Sequence, residues 1–448
     1  MKNKLENKKV LVVGLGKSGF ALMNVLSELN YDVDVYDAKE RSAVEDLDWI
    51  RCHSKQQYFS QMPELSQYDF LALSPGVPTD IPLIELAKQY GIEILGEIEW
   101  AYRLAKGSFI GITGTNGKTT TTQLTYEIIA AQKPGVLLVG NIGIPAVEKA
   151  AESDTSNIFV TELSSFQLET IDTFKVAHGA ILNLTPDHLN RHKTMENYIA
   201  AKLRIFENLD SDGYRVLNYD DAYLKTYGEL YDNTFFFSRK HQLKKGCFIE
   251  QGMIKIVLDK EIMVMPVDEI GMPGDHNIEN VLAAVSLAYL TGVDVEIIRE
   301  VVKGFKGVEH RLEIFKKKLG RVFINDSKAT NPDAAIKAIV SMKNKTVLLA
   351  GGMDKGSDFT EMIQLFAPNI VHMVVYGETK HILVETAQKC GFEAVSMVDD
   401  LSMALDRAME VSEEGYTILL SPACASWDMY KNFEVRGKHF KDLVDKLG

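Results

Sequence analysis

The sequence predicts an α/β protein built from consecutive strand–turn–helix units, and three observations predict it. Short apolar runs repeatedly end in glycine-rich turns and then give way to helical patterns, as at Val10–Gly14, Phe109–Gly114 and Val347–Gly351. Two of those turns have phosphate-binding spacing, a GxGxxG from Gly14 to Gly19 and a loop from Gly114 to Lys118. The chain has 448 residues, enough for about three domains. The expected division is an N-terminal Rossmann-like domain over 1–97 and a central P-loop-type domain over 98–308. The central domain is expected to hold a mostly parallel sheet with extra β strands. A C-terminal Rossmann-like domain with a doubly wound sheet then covers 309–448.

In the first unit, Val10-Leu-Val-Val-Gly14-Leu15-Gly16 is a buried-strand run entering its turn, and the helical positions Leu22, Val25, Leu26 and Leu29 follow. Asp37 closes the next strand about 20 residues on, where such units set a carboxylate against a ribose. A further turn, Ser74-Pro-Gly76-Val-Pro78, places small residues at a strand's carboxyl end, where open α/β sheets bind ligands; simple turn chemistry would select the same residues. A complete dinucleotide domain does not follow, because a new unit starts near residue 109. The expected guest is therefore part of a nucleotide, not a nicotinamide.

The central unit opens on Thr113-Gly114-Thr115-Asn116-Gly117-Lys118-Thr119-Thr120. Glycines turn backbone N–H groups toward an anion, and the helix start adds its positive end. Lys118 is placed to reach the outer phosphates and Thr119 to sit on magnesium. The strict motif wants glycine six positions before the lysine, and Ile112 stands there, so the loop is a shortened variant. Asn141 ends the next strand between two glycines. Glu162 terminates the apolar strand after it, the usual place for a magnesium-directed carboxylate. The loop Thr185-Pro-Asp187-His188 holds a histidine that suits a metal or merely solvent. On the helix after Thr194, Lys202 falls inside the apolar stripe of Met195, Ile199, Leu203 and Phe206. Either it snorkels to water or burial lowers its pKa and makes the amine reactive. The runs at Tyr214–Asn218, Thr234–Ser238, Cys247–Ile249 and Met253–Leu258 read as antiparallel strands flanking the core sheet. Asn277 lies in the first turn of a helix with a polar cap region.

Taken together, Gly114-Thr-Asn-Gly-Lys-Thr-Thr120, Glu162-Leu-Ser-Ser165, Asn183-Leu-Thr-Pro-Asp187-His188 and Lys202 resemble the Mur ligases, ATP-dependent amide-forming enzymes of peptidoglycan assembly. The shortened loop is shared with folylpolyglutamate synthases, which have no reason for an N-terminal GxGxxG domain. The resemblance implies ATP on Gly114 to Thr120, with Asn277, Arg311, Asp326 and Lys328 completing its site. It implies two magnesium ions held by Thr119, Glu162, His188 and a Lys202 carried as a carbamate. It makes Lys118, Glu162, His188, Lys202, Arg311 and Lys328 the catalytic set. The uridine diphosphate part of the substrate is expected on Gly14, Leu15, Gly16, Asp37, Ser74 and Gly76, with Asn141 reaching it from the centre.

The last third repeats the strand–turn pattern four times, each turn carrying chemistry. The turns bear Asp326-Ser-Lys328-Ala-Thr330, Gly351-Gly-Met-Asp-Lys355, Gly377-Glu378 and Ser421-Pro-Ala-Cys-Ala-Ser426. Four polar turns on one sheet edge favour a binding site. The run from Leu420 through Phe433 to Gly437 resembles the branch of the family that adds D-glutamate. That resemblance implies Thr330, Lys355, Ser426 and the Phe433 backbone as D-glutamate contacts, and UDP-N-acetylmuramoyl-L-alanine as the acceptor.

Composition limits the alternatives. A net charge of −13 disfavours a nucleic-acid scaffold. The cysteines Cys52, Cys247, Cys390 and Cys424 lack metal spacing and read as free thiols in a reducing compartment. No run approaches the ~18 apolar residues of a membrane span, and the first nine residues lack a signal-peptide core. A cytoplasmic monomer that neither binds nucleic acid nor inserts in a membrane is expected. A nicotinamide oxidoreductase would leave the phosphate loop and Lys202 unexplained, and a GTPase would carry an Asn-Lys-x-Asp guanine reader that does not occur.

Overall fold

A computed structural model describes residues 8–38, 58–272, 275–353 and 356–448. The chain forms two compact units, Met1–Phe305 and Lys306–Gly448. The first unit contains two sheets. Strands β1 (Lys9–Val13), β2 (Asp32–Tyr36), β3 (Tyr58–Phe59), β4 (Phe70–Leu73) and β5 (Glu93–Gly96) form a parallel sheet in the order β3-β2-β1-β4-β5. The alternation of its strands sorts the core in two. Leu11, Val13, Leu71 and Leu73 pack toward the helix Pro82–Gln89, whereas Val10, Val12 and Ala72 pack with the helix Lys17–Glu28 and Trp100. The second cluster runs on without a break into Phe109, Val139, Ala146 and Phe159 of the central part. Continuous apolar burial is therefore what makes one unit of two sheets.

The central sheet has nine strands: β6 (Ser108–Thr113), β7 (Val136–Gly140), β8 (Ile158–Glu162), β9 (His178–Ile181), β10 (Tyr214–Asn218), β11 (Thr234–Ser238), β12 (Gly246–Glu250), β13 (Met253–Val257) and β14 (Glu261–Pro266). Their order is β14-β13-β12-β11-β10-β9-β6-β8-β7. The sequence reading of β10 to β12 as antiparallel is corrected here. All three pair in parallel and extend the core sheet, and only β13 and β14 are antiparallel. For β10 and β11 the reason lies between them, where the helix Ala222–Gly228 returns the chain to the starting edge, as a parallel crossover must.

Two buried glutamates on the helix Glu97–Leu104 bind its surroundings together. Glu99 accepts the N–H groups of Asp172, Thr173 and Phe174 and the Arg103 guanidinium. Burial works to raise its pKa, but the hydrogen bonds from Thr173, Asp172 and Arg103 outweigh it and hold the carboxyl below its ordinary value. Glu97 accepts the Val147 N–H at 2.9 Å, while its other oxygen has no hydrogen-bond partner.

The second unit is a six-stranded sheet of β15 (Glu313–Lys318), β16 (Arg321–Asn325), β17 (Thr346–Gly351), β18 (Ile370–Tyr376), β19 (Val395–Met397) and β20 (Thr417–Leu420), ordered β15-β16-β20-β17-β18-β19. All pairs are parallel except β15 with β16. Helices cover both faces: Leu348 and Ala350 lie in one apolar cluster, Val347 and Leu349 in the other. Among the described residues no helix is long and apolar enough to cross a membrane. Cys247, Cys390 and Cys424 are free thiols, and Cys52 lies outside the described residues.

Candidate active site

The centre of the first unit is the turn from β6 into the helix Lys118–Ala130. Gly114 has φ +147° and Gly117 has φ +85°, the left-handed side of backbone space. A Cβ on Gly117 would lie 2.1 Å from Asn280 Oδ1, so both conformation and space demand glycine. The loop is fastened to the end of β9. Thr115 N donates to Asn183 O at 3.0 Å, Asn116 N to Asn183 Oδ1 at 2.8 Å, and Asn183 Nδ2 to Asn116 O at 3.1 Å. The Lys118 ammonium lies inside the loop, donating to Gly114 O at 2.8 Å and Thr115 O at 2.9 Å. Thr119 is buried and Thr120 half-buried behind it. Asn277 sits on the neighbouring helix Asp275–Leu290, one turn before Asn280, which accepts from Thr121 at 3.3 Å.

Lys202 is fully buried, which decides between the two sequence alternatives. Its Nζ donates to Gly114 O at 2.9 Å and lies 3.3 Å from Thr113 Oγ1, so the amine touches the phosphate loop itself. Burial, first, and the nearby Lys118 charge hold its pKa well below the ordinary lysine value, against the pull of Asp187 and Glu162. Glu162 ends β8 and is buried. One oxygen accepts Asn141 Nδ2 at 2.6 Å, and the other is buried with no hydrogen-bond partner. An unsatisfied carboxylate oxygen at the edge of a phosphate loop fits a hard cation. His188 takes a left-handed conformation as the N-cap of the one-turn helix Leu189–His192, with its ring 4.9 Å from that of Phe166.

Residues at the carboxyl edge of the N-terminal sheet come together as a second set. The strand order reverses between β1 and β4, so Gly14, Leu15 and Gly16 face Ser74 and Gly76 across a topological switch point. Asp37 Oδ2 accepts the Leu15 N–H at 2.7 Å and so fixes the glycine turn. A Cβ on Gly14 would strike Val77 at 2.5 Å, whereas one on Gly76 would meet nothing within 4 Å. The Asn141 amide, expected at this edge, donates one N–H to Glu162, and Lys17 reaches Gly143 O at 2.6 Å from the N-terminal side.

In the second unit, Asp326 is buried at the end of β16, accepting Leu312 N at 3.1 Å and Ser421 Oγ at 2.7 Å. Burial pushes its pKa up to about 7 against those bonds and Arg311. Lys328 lies 5.9 Å over the Phe433 ring beside a cavity of about 450 Å³ that both residues line with His310 and Asn432. Thr330 closes the turn after Lys328, and Ser426 is buried in the loop after β20. Lys355 lies outside the described residues.

Sequence reasoning missed three residues. Tyr198, four before Lys202, places its hydroxyl 3.0 Å from Thr115 Oγ1 and its ring 4.7 Å from Lys202 Nζ; the helical spacing to Lys202 was the available signal. Arg191 and Arg436 carried no local signal: Arg191 joins carbonyls more than a hundred residues away to a glutamate 22 residues back, and Arg436 joins Ser327, 109 residues back, to backbone carbonyls.

Family models match the chain in three consecutive stretches. They are a Mur ligase MurD-like N-terminal domain over residues 8–96, a Mur ligase middle domain over 112–288, and a Mur ligase glutamate ligase domain over 310–424. The chain belongs to the Mur ligase family. Among its Mur ligase relatives, the UDP-N-acetylmuramoylalanine--D-glutamate ligase of Alkaliphilus oremlandii (strain OhILAs) is 48% identical, with 99% of each chain covered. The protein of the same name from Clostridioides difficile (strain 630) is 44% identical, again with 99% of each covered. Two solved Mur ligases share the fold. The UDP-N-acetylmuramate-alanine ligase MurC of Thermotoga maritima is 20% identical with TM-score 0.55, covering 98% of this chain and 99% of that one. The MurF ligase of the same organism, in complex with ADP, is 16% identical with TM-score 0.55, covering 100% and 96%.

Proposed function

We infer that the chain joins D-glutamate to UDP-N-acetylmuramoyl-L-alanine at the expense of ATP, releasing ADP and phosphate, as a step in peptidoglycan precursor synthesis. Two lines support this: near-full-length relatives of that name, and a phosphate loop touched by a buried lysine beside an unsatisfied carboxylate oxygen. In this reading the acceptor's alanyl carboxylate attacks the γ-phosphorus of ATP, ADP leaves, and an acyl phosphate forms. The D-glutamate amine then adds to the acyl carbon, and phosphate departs from the tetrahedral intermediate with loss of the amine proton.

Two magnesium ions would be held by Thr119, Glu162, His188 and Lys202, and would supply charge neutralisation on the phosphoryl oxygens. The remaining work falls to this chain's own groups. Lys118 adds a fixed positive charge at the loop, and positioning with electrostatics dominates such a transfer. Lys202 joins the ligand set as a carbamate. A neutral amine adds to CO₂, forming an N–C bond and releasing one proton, and a lowered pKa keeps the amine neutral. The carbamate nitrogen retains one N–H, enough to keep the bond to Gly114 O. It also turns the repulsion between Lys202 and Lys118 into attraction.

Gly14, Leu15, Gly16, Asp37, Ser74, Gly76 and Asn141 are assigned to the uridine diphosphate end of the acceptor. Asn277, Arg311, Asp326 and Lys328 are assigned to ATP, and Thr330, Lys355, Ser426 and Phe433 to D-glutamate. The domain limits 1–97, 98–308 and 309–448, a cytoplasmic location and a monomeric state belong to the same reading. Lys118→Ala should abolish ADP release while leaving the unfolding midpoint near wild type. Retained turnover would remove the loop from the mechanism.

A further inference from the structure

The short helix Leu189–His192 joins two parts of the first unit that the assigned reaction requires in register. At its N-cap stands His188, assigned to metal. Near its other end, Arg191 extends its guanidinium to the turn after β4, donating to Pro75 O at 3.3 Å and Val77 O at 3.1 Å. Those carbonyls flank Gly76, the residue whose Cα faces open space and which the acceptor reading uses. Arg191 is held from behind. Its Nη2 meets Glu169 Oε2 at 2.6 Å, and its Cζ lies 4.2 Å from the centre of the Phe166 ring. Glu169 and Phe166 follow directly from the β8 end that carries Glu162.

The chain of contacts continues to the phosphate loop. His192 bonds Ser165 Oγ at 2.9 Å and lies 3.4 Å from Glu169 Oε1. Its ring is 5.3 Å from that of Tyr198, whose hydroxyl meets Thr115. Only one helical turn separates the grip on the acceptor turn from the metal-directed histidine. A shift of the turn is therefore a shift of the acceptor carboxylate relative to the reacting phosphorus.

We propose that Arg191, clamped by Glu169 and Phe166 onto the carbonyls on either side of Gly76, is a positioning residue that sets the UDP-linked acceptor in register with the phosphoryl-transfer centre. A planar fork suits the task, because one guanidinium donates in one plane to two carbonyls and a carboxylate. A lysine has a single nitrogen and cannot span all three. The inference rests on the acceptor assignment made above.

The test measures steady-state kinetics of Arg191→Met, Arg191→Lys and Glu169→Gln with each of the three substrates varied in turn. Met keeps the packing on Phe166 and removes every donor. The expected result for Arg191→Met is a KM for UDP-N-acetylmuramoyl-L-alanine raised about tenfold and a kcat lowered about a hundredfold, the cost of a reacting group displaced by about 1 Å. The KM values for ATP and D-glutamate should stay within about twofold, because those sites do not use the turn. Arg191→Lys should fall between wild type and Met, and Glu169→Gln should shift the acceptor KM in the same direction. Equal changes in all three KM values, or a Met variant indistinguishable from wild type, would overturn the proposal. Should Arg191→Met fail to fold, Glu169→Gln carries the same test. Wild-type protein that releases no ADP with both substrates present would instead refute the reaction itself, so the two failures are separable.

Discussion

Arg436 offers the sharpest energetic test of how the second unit holds its site. The residue is fully buried on the helix Phe433–Lys446. A guanidinium has five N–H donors, and five bonds account for them. Nε donates to Ser327 Oγ at 3.0 Å, Nη1 to Cys424 O at 3.1 Å and Ala425 O at 3.3 Å, and Nη2 to Ser327 O at 2.9 Å and Cys424 O at 3.1 Å. The acceptors sit on two loops, one bearing Asp326 and Lys328 and the other leading into Ser426. Replacing Arg436 with Met fills most of the volume but takes the guanidinium donors from Ser327 O and Cys424 O, while Ala425 O keeps the Met353 N–H and Ser327 Oγ keeps its bond to Phe433 O. Each buried orphan costs about 1–3 kcal/mol. Two orphans cost about 2–6 kcal/mol together, and removing a buried charge returns part of that, so the net loss should be about 2–4 kcal/mol. Urea melts should show the midpoint of Arg436→Met lowered with an unchanged slope. At a temperature where the variant is folded, its KM for D-glutamate should rise more than its KM for the UDP-linked acceptor. A Met variant as stable as wild type, with both KM values unmoved, would refute the argument that this one side chain ties the two loops.

Other outcomes follow from the same chemistry. If Lys202 is carried as a carbamate, as proposed, Lys202→Ala should lose turnover and regain part of it when short-chain carboxylic acids are added, since they would restore the oxygen donor that the modification supplies. A folded variant that no acid rescues would count against the carbamate. Glu97 is fully buried, and burial above all pushes its pKa from 4.5 up to about 7, with Glu148 adding to it and the Val147 and Ala146 N–H groups opposing. The folded carboxyl thus holds its proton more tightly than the unfolded one. Its contribution to stability is complete below about pH 4.5 and is lost as pH rises through about 7, by roughly 3 kcal/mol at most. Glu97→Gln should flatten that part of the stability profile measured by urea melts at intervals from about pH 5 to about pH 8. An unchanged slope would locate the proton elsewhere.

What the sequence revealed was whatever is written locally. β1, β6 and β17 announce themselves because an apolar run stops at a glycine whose backbone must turn, and Gly14, Gly114 and Gly351 all have positive φ. Lys202 was legible as an anomaly because a helix has a period, and a cation inside the apolar stripe breaks it. Local pattern could not say that the amine would rest on Gly114 O, 88 residues away. Arg191 reaches 114 and 116 residues back to its carbonyls, and Arg436 reaches 109 residues back to Ser327. Backbone carbonyls carry no side-chain identity, so nothing in the sequence flags them as partners. The direction of β10 to β12 failed for a related reason. A strand's apolar pattern fixes which face is buried, and only the crossover through Ala222–Gly228 fixes which way it runs.

The most direct measurement is ADP release by the purified chain given ATP, magnesium and UDP-N-acetylmuramoyl-L-alanine, with D-glutamate compared against L-glutamate, glycine and lysine. The expected result is release that requires the acceptor and is supported by D-glutamate alone, with one UDP-linked product formed per ADP. Release that ignores the acceptor, or that proceeds equally with L-glutamate, would contradict the account.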